Sequence, residues 1–130
     1  MTMKKNEFVL YGLDNYKQVI DNVINELNIS HDCFDIKLIL TESLTNAFKH
    51  GNNSDNYKPI YLRYIYNNMN IEFEIEDCGN GFKSLSIPNK LSDENLLNDS
   101  GRGLFLIECI ADNIEFKENK LIIQKYLNVG

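Results

Sequence analysis

Residues Ile71 to Asp77 alternate without a break: Ile71, Phe73 and Ile75 point one way, and Glu72, Glu74 and Glu76 the other. A strand with one apolar and one acidic face requires a sheet that is covered on one side and wet on the other. Asp77 continues the apolar phase, so its carboxylate leaves the strand on the covered side. A carboxylate there is costly unless something satisfies it. Cys78-Gly79-Asn80-Gly81 follows at once. Two glycines with one residue between them let a backbone turn sharply and approach a ligand closely. Taken alone, the run also reads as an ordinary strand-ending turn.

The rest of the chain supplies what such a sheet needs. Phe8 to Leu13 reads as a first strand, and Asp14 as the cap of a helix whose Tyr16, Val19, Ile20, Val23, Ile24 and Leu27 form an amphipathic stripe. Ser30 and Asp32 are candidate caps for a second helix running to Phe48 or His50, stopped by Gly51 and the polar residues after it. Ile60 to Tyr66 is a tyrosine- and isoleucine-rich strand, turned into the next by Asn67-Asn68-Met69-Asn70. A third, mostly apolar helix starts near Gly103 and carries Leu104, Phe105, Leu106, Ile107 and Ile110. Asn113 to Phe116 and Leu121 to Tyr126 form a last hairpin around Glu118-Asn119. These elements predict an α/β (α+β) two-layer sandwich: a mixed, mainly antiparallel sheet with three helices on one face, with residues 1–130 as one domain. The polar stretch from Gly79 to Gly101 is too long for an ordinary connection, since loops beyond ~12–15 residues are usually lids, binding loops or disordered segments.

Composition narrows the partners. The net charge of −6 repels phosphate backbones and argues against nucleic acid, while leaving room for a small local nucleotide site. No apolar run approaches the ~18 residues of a membrane span, and no apolar signal core follows the basic N-terminus, so a cytoplasmic protein is expected. The three cysteines, Cys33, Cys78 and Cys109, match no zinc spacing and read as reduced thiols.

The second helix carries a further signal. At ~100° per residue, Glu42, Asn46 and Lys49 share a stripe beside the apolar face of Ile36, Leu40, Leu44 and Ala47. By itself such a trio is more often a solvated flank. As a functional edge, the neutral amide oxygen suits Mg²⁺, the carboxylate one turn earlier can orient a hydroxyl, and the lysine can reach a phosphate. Gly101-Arg102-Gly103-Leu104 then opens a helix, freeing its first N–H groups for an anion, with Arg102 adding charge. Glycines there read equally as a hinge before a buried helix. A phosphate-binding loop of the Gly-x-x-x-x-Gly-Lys-Ser/Thr kind is absent.

Taken in order, Glu-x-x-x-Asn-Ala-x-Lys-His-Gly on a helix, Asp-x-Gly-x-Gly-Phe ending a strand, and Gly-x-Gly-Leu opening a helix resemble the N box and the two glycine boxes of the histidine-kinase-like ATPase superfamily (the GHKL or Bergerat fold). The resemblance spans about residues 42 to 107. Glu42-Ser43-Leu44-Thr45-Asn46-Ala47 and Gly103-Leu104-Phe105-Leu106-Ile107 are similar to the anti-sigma-factor serine/threonine-protein kinase branch.

That resemblance implies ATP and Mg²⁺ as ligands, with Asn46 ligating the metal and Glu42 as general base. Asp77 would accept a hydrogen bond from the adenine amino group, and Gly79 and Gly81 would make room for the base. Gly101 and Gly103, with Leu104 after them, would close on the phosphates, and Lys49 and Arg102 are further phosphate contacts. It also implies a sigma factor and a serine-bearing anti-anti-sigma protein of the STAS type as partners, and a homodimer. Two departures stand out. Glu118-Asn119-Lys120-Leu121 occupies the place of the family's Gly-Thr pair, and the segment from Lys83 to Ser100 lacks a threonine-rich lid. They leave open a nucleotide-dependent binding module without transferase activity, and an interaction domain with a decayed site.

Overall fold

The computed structural model describes residues 3–29, 31–67, 69–79 and 99–127. The Ser30 cap, Gly81 and most of the expected lid lie outside them. Among the described residues there are five strands and three helices. The strands are β1 (Lys4–Tyr11), β2 (Pro59–Tyr66), β3 (Asn70–Glu76), β4 (Asn113–Lys117) and β5 (Lys120–Tyr126). The helices are α1 (Tyr16–Leu27), α2 (Cys33–Asn46), which runs on into a single π-helical turn at Ala47–Gly51, and α3 (Asp99–Ile110).

The sheet order is β1-β2-β3-β5-β4. Every pairing among the described strands is antiparallel, so the expected sandwich is present without a parallel pair in its sheet. The reason is topological. The crossover through α3 brings β4 back in the direction of β3, but β5 lies between the two and bonds to both.

The alternation in β3 does what its period requires. Ile71, Phe73 and Ile75 are fully buried, together with Ile60 and Leu62 of β2 and Leu121 and Ile123 of β5. Ile20, Val23 and Leu27 of α1, Ile36, Ile39, Leu40 and Leu44 of α2, and Leu104 and Ile107 of α3 close the same core from one side. Both α1 and α3 pack on α2, which is the middle helix of the layer. Buried polar groups tie the layers together. Tyr64 donates its hydroxyl to Glu26 of α1 at 2.5 Å, and Lys125 reaches the Ile110 carbonyl at the end of α3 at 3.3 Å.

Several boundaries differ from the periodicity reading. β1 starts at Lys4 rather than Phe8 and ends before Gly12, whose φ of 71° turns the chain toward α1. Its polar first half is held by the ladder to β2 and by the ion pair of Glu7 with Arg63 at 2.6 Å. Asn15, not Asp14, holds the N-cap position of α1, and its carbonyl accepts from Val19 at 3.0 Å. Asn28, left-handed at φ 52°, ends that helix. α3 begins at Asp99, one turn before Gly103, so both glycines of Gly101-Arg102-Gly103 lie inside the helix.

Replacing Phe73 by alanine removes the largest fully buried side chain of the central strand. It should destabilise the fold by about 3–5 kcal/mol in urea denaturation. A loss well under that range would show that β3 is not the floor of the core.

Candidate functional site

The site starts from α2. One face of this helix is core and the adjoining face is polar, as the spacing predicts: Ile36, Leu40, Leu44 and Ala47 are fully buried, and Asn46 is 4 % exposed. Glu42, one turn before Asn46, is partly exposed. α3 then crosses this polar edge at a glycine. A Cβ on Gly103 would stand 2.8 Å from Glu42 Oε2 and 3.2 Å from Asn46 Nδ2. A side chain at this position would have to displace the end of Glu42 and crowd the Asn46 amide. The fold therefore brings Glu42, Asn46 and Gly103 together, from two of the three predicted motifs.

The π turn sets the next part. Its extra residue per turn closes with Asn52 N–H donating to the Ala47 carbonyl at 2.8 Å. This moves Lys49 off the stripe of Glu42 and Asn46, and Lys49 is exposed. The same turn points Gly51 at Asp77: a Cβ on Gly51 would fall 2.0 Å from Asp77 Oδ2, and one on Gly79 would fall 1.7 Å from the Gly51 carbonyl. Two glycines far apart in sequence thus make room for one carboxylate.

Asp77 sits as its phase predicts, 1 % exposed at the end of β3. Its Oδ1 accepts the Gly79 N–H at 2.8 Å, and its Oδ2 has no partner. Among the described residues, the other buried side-chain polar atom without a partner is Asn46 Nδ2. Burial pushes the Asp77 carboxyl above its ordinary range; the Gly79 amide pulls it back, and the charge of Glu76 adds to the rise.

Two asparagines that the motif reading passes over hold this corner. Asn52 is fully buried; its Oδ1 accepts Cys78 N–H at 2.7 Å, and its Nδ2 donates to the carbonyls of Lys58 and Pro59 at 3.1 and 3.2 Å. Asn119, in the β4–β5 turn, accepts Asp77 N–H on its backbone carbonyl at 3.1 Å and donates its side-chain amide to the Asp77 carbonyl. Asn52 belongs to the run Asn52-Asn53-Ser54-Asp55-Asn56, and Asn119 to a predicted turn. Asparagine is ordinary in both places, so neither carried a distinguishing signal.

Of the other predicted residues, Gly81 lies outside the described set, as does the side chain of Arg102. Gly101 lies within α3, two residues after Asp99. The Leu104 side chain is in the core, 1 % exposed, and anchors α3 instead of facing a ligand. A groove of about 450 Å³ lies elsewhere, on the open sheet face beside Lys5, Glu7, Arg63, Ile65 and Glu74. Its arginine is engaged by Glu7, Glu74 and Glu76.

A buried carboxylate with one unengaged oxygen, an amide on the neighbouring helix turn, and glycines at each close approach are thus gathered from the motif positions. The family model for the histidine kinase-like ATPase domain matches residues 13–125, and the chain belongs to that family. Its relatives carry more particular names. A serine-protein kinase RsbW of Staphylococcus aureus is 33% identical over 108 residues, covering 74% of this chain and 67% of its own. One of Listeria monocytogenes is 22% identical over 134 residues, covering 95% and 83%. An anti-sigma F factor of Oceanobacillus iheyensis is 25% identical over 117 residues, covering 88% and 76%. Membership in this family implies use of ATP. Among the described residues, no helix is long and apolar enough to cross a membrane.

Because the folded state holds the Asp77 proton more tightly than the unfolded chain does, the carboxyl's contribution to stability is full below its unfolded value, ~3.9. It is lost as pH rises through the higher folded value. Asp77→Asn should therefore melt at a higher temperature than wild type at neutral pH, with the gap closing as the solution is acidified below pH ~4. A variant less stable than wild type at neutral pH would show that the buried charge is compensated by groups outside the described residues.

Proposed function

We infer that this chain binds ATP with Mg²⁺ and works as an anti-sigma factor and serine kinase, transferring the γ-phosphoryl group to a serine of a small anti-anti-sigma protein of the STAS type. One observation supports this most directly: among the described residues, the buried side-chain polar atoms without a partner are Asp77 Oδ2, an acceptor open to the base, and Asn46 Nδ2, a donor open to a phosphate oxygen on the amide whose oxygen would meet the metal. Unsatisfied buried groups of this kind are expected where a ligand completes them. The names of the relatives support the choice of partner proteins. In this reading residues 1–130 act as a single ATP-binding domain, cytoplasmic and homodimeric, with no nucleic-acid or membrane partner.

The roles follow from position. Asp77 is acceptor-only when ionised, so it selects a base that presents an amino donor, as adenine does. Gly51 and Gly79 keep its surroundings free of side chains, and the motif assigns Gly81 to making room for the base. Asn46 would hold Mg²⁺ through its amide oxygen; bound there, the ion would neutralise charge on the phosphate oxygens. In this reading Gly101 and Gly103 let the backbone of α3 come close to the phosphates, and Arg102 and Lys49 add positive charge. Glu42 takes the proton of the serine hydroxyl as the bond from serine oxygen to phosphorus forms and the bond to the ADP oxygen breaks. Its partial exposure and its closeness to Gly103 support this role.

The alternative is a nucleotide-dependent binding module that holds its partner without phosphorylating it. Its motivation is the lack of a threonine-rich segment between Lys83 and Ser100; Glu118-Asn119-Lys120-Leu121 in the place of the family's Gly-Thr pair motivates a decayed site instead.

Calorimetric titration of ATP and ADP, with and without Mg²⁺, tests the site. Wild type should bind in a magnesium-dependent manner, and Asp77→Asn should lose about tenfold or more in affinity, the worth of one charge-assisted hydrogen bond. Glu42→Ala should keep ATP binding and lower phosphoserine formation on the partner by about 10²–10⁴-fold. A tight complex with the partner and no phosphoserine from wild type would favour the binding module. No binding of any adenine nucleotide would leave an interaction domain with a decayed site.

A further inference from the structure

The contact between Asn119 and Asp77 closes the β3–β5 ladder in an unusual way. The last regular pair is Glu76 with Lys120, so Asp77 and Asn119 are next in register. One bond of that pair is backbone to backbone, Asp77 N–H to the Asn119 carbonyl, and the Asp77 carbonyl is met by the Asn119 side-chain amide. Glu118 stands at φ 59° in the turn, and Asn119 presents both groups to the same residue, one to each of the two peptides that flank the Asp77 Cα. On the other side Asn52 Oδ1 holds Cys78 N–H, the next amide along. The backbone on both sides of the Asp77 side chain is therefore anchored by asparagines from two other segments. With the backbone held, Gly79 N–H engages Oδ1 and leaves Oδ2 as the unengaged acceptor.

We propose that Asn119 is a positioning residue for base recognition: by clamping the Asp77 peptide from the β4–β5 turn, it makes one carboxylate oxygen the sole acceptor for an exocyclic amino group of a purine. The inference rests on the nucleotide-binding reading above and extends it to a residue outside the three motifs. Asn119 touches no ligand in this role; it acts through Asp77. A hydroxyl or methyl side chain at this position would not span the same gap to the carbonyl, so the chain reaches a rigid Asp77 by its own means.

The test separates positioning from general stability by changing the base. ATP carries an amino donor at the purine 6-position, whereas inosine triphosphate carries a carbonyl there and has no exocyclic amino group. Titrations of both nucleotides with Mg²⁺ into wild type and Asn119→Ala should show ATP binding weakened about tenfold and inosine triphosphate binding changed by less than about twofold. In an Asp77→Asn background, Asn119→Ala should have no further effect on ATP, because the group it positions is gone. Should Asn119→Ala fail to fold in a thermal melt, Asn119→Asp carries the same measurements; it keeps the shape and puts an acceptor where the donor was. Equal losses for both nucleotides, or unchanged ATP affinity in a folded variant, overturn the proposal while the nucleotide site stands. A wild type that binds no ATP overturns the nucleotide reading and this inference with it, and is seen before any variant is made.

Discussion

A buried carboxylate is the constraint around which this molecule is arranged. Asp77 stands where β3 leaves the sheet, on the face that the helices cover, and is almost without solvent contact. Such a group is unfavourable in its ionised form, and the fold answers with geometry more than with opposite charge. Gly79 supplies one N–H to Oδ1, Gly51 withdraws any side chain from Oδ2, and asparagines on two other segments hold the adjoining backbone. The neighbouring Glu76 works against ionisation. A site kept costly in this way is a usual companion of function, where stability gives way to a preorganised group.

The second dependency is α2. Its apolar residues fill the middle of the core, and its flank supplies Glu42 and Asn46, so site and core share one rigid element. The π turn at Ala47–Gly51 is what links this helix to Asp77. A regular α-helical end would leave the chain at a different angle and would not set Gly51 against the carboxylate. π turns inside helices frequently mark functional positions, and here the geometric reason is visible.

The two faces of the sheet obey different rules. On the covered face a single mismatched side chain changes packing directly. On the open face Glu72, Glu74 and Glu76 would repel one another in a row, and Arg63 and Lys120 on the flanking strands moderate this through contacts of 2.9–3.4 Å. These half-exposed pairs are worth little individually, ~0–1 kcal/mol each in general. Their value is to keep an acidic strand in a sheet whose other face does the folding.

The sequence by itself determined the layer arrangement, the covered and wet faces of β3, the apolar stripes of α1 and α2, and the residue types at the three motifs. Each of these is encoded in local periodicity or in a short run: the phase that buries Ile75 also buries Asp77, and the spacing that buries Leu40 and Leu44 also lays Glu42 beside Asn46. Tertiary structure alone decided the all-antiparallel order, the π turn that carries Lys49 outward, the earlier start of α3, and the roles of Gly51, Asn52 and Asn119. These depend on contacts between segments distant along the chain. A turn asparagine has the same local signature whether its amide meets water or the carbonyl of Asp77, and a glycine after a helix reads as a stop whether or not a carboxylate lies against it. Only the folded chain supplies the partner that distinguishes the two.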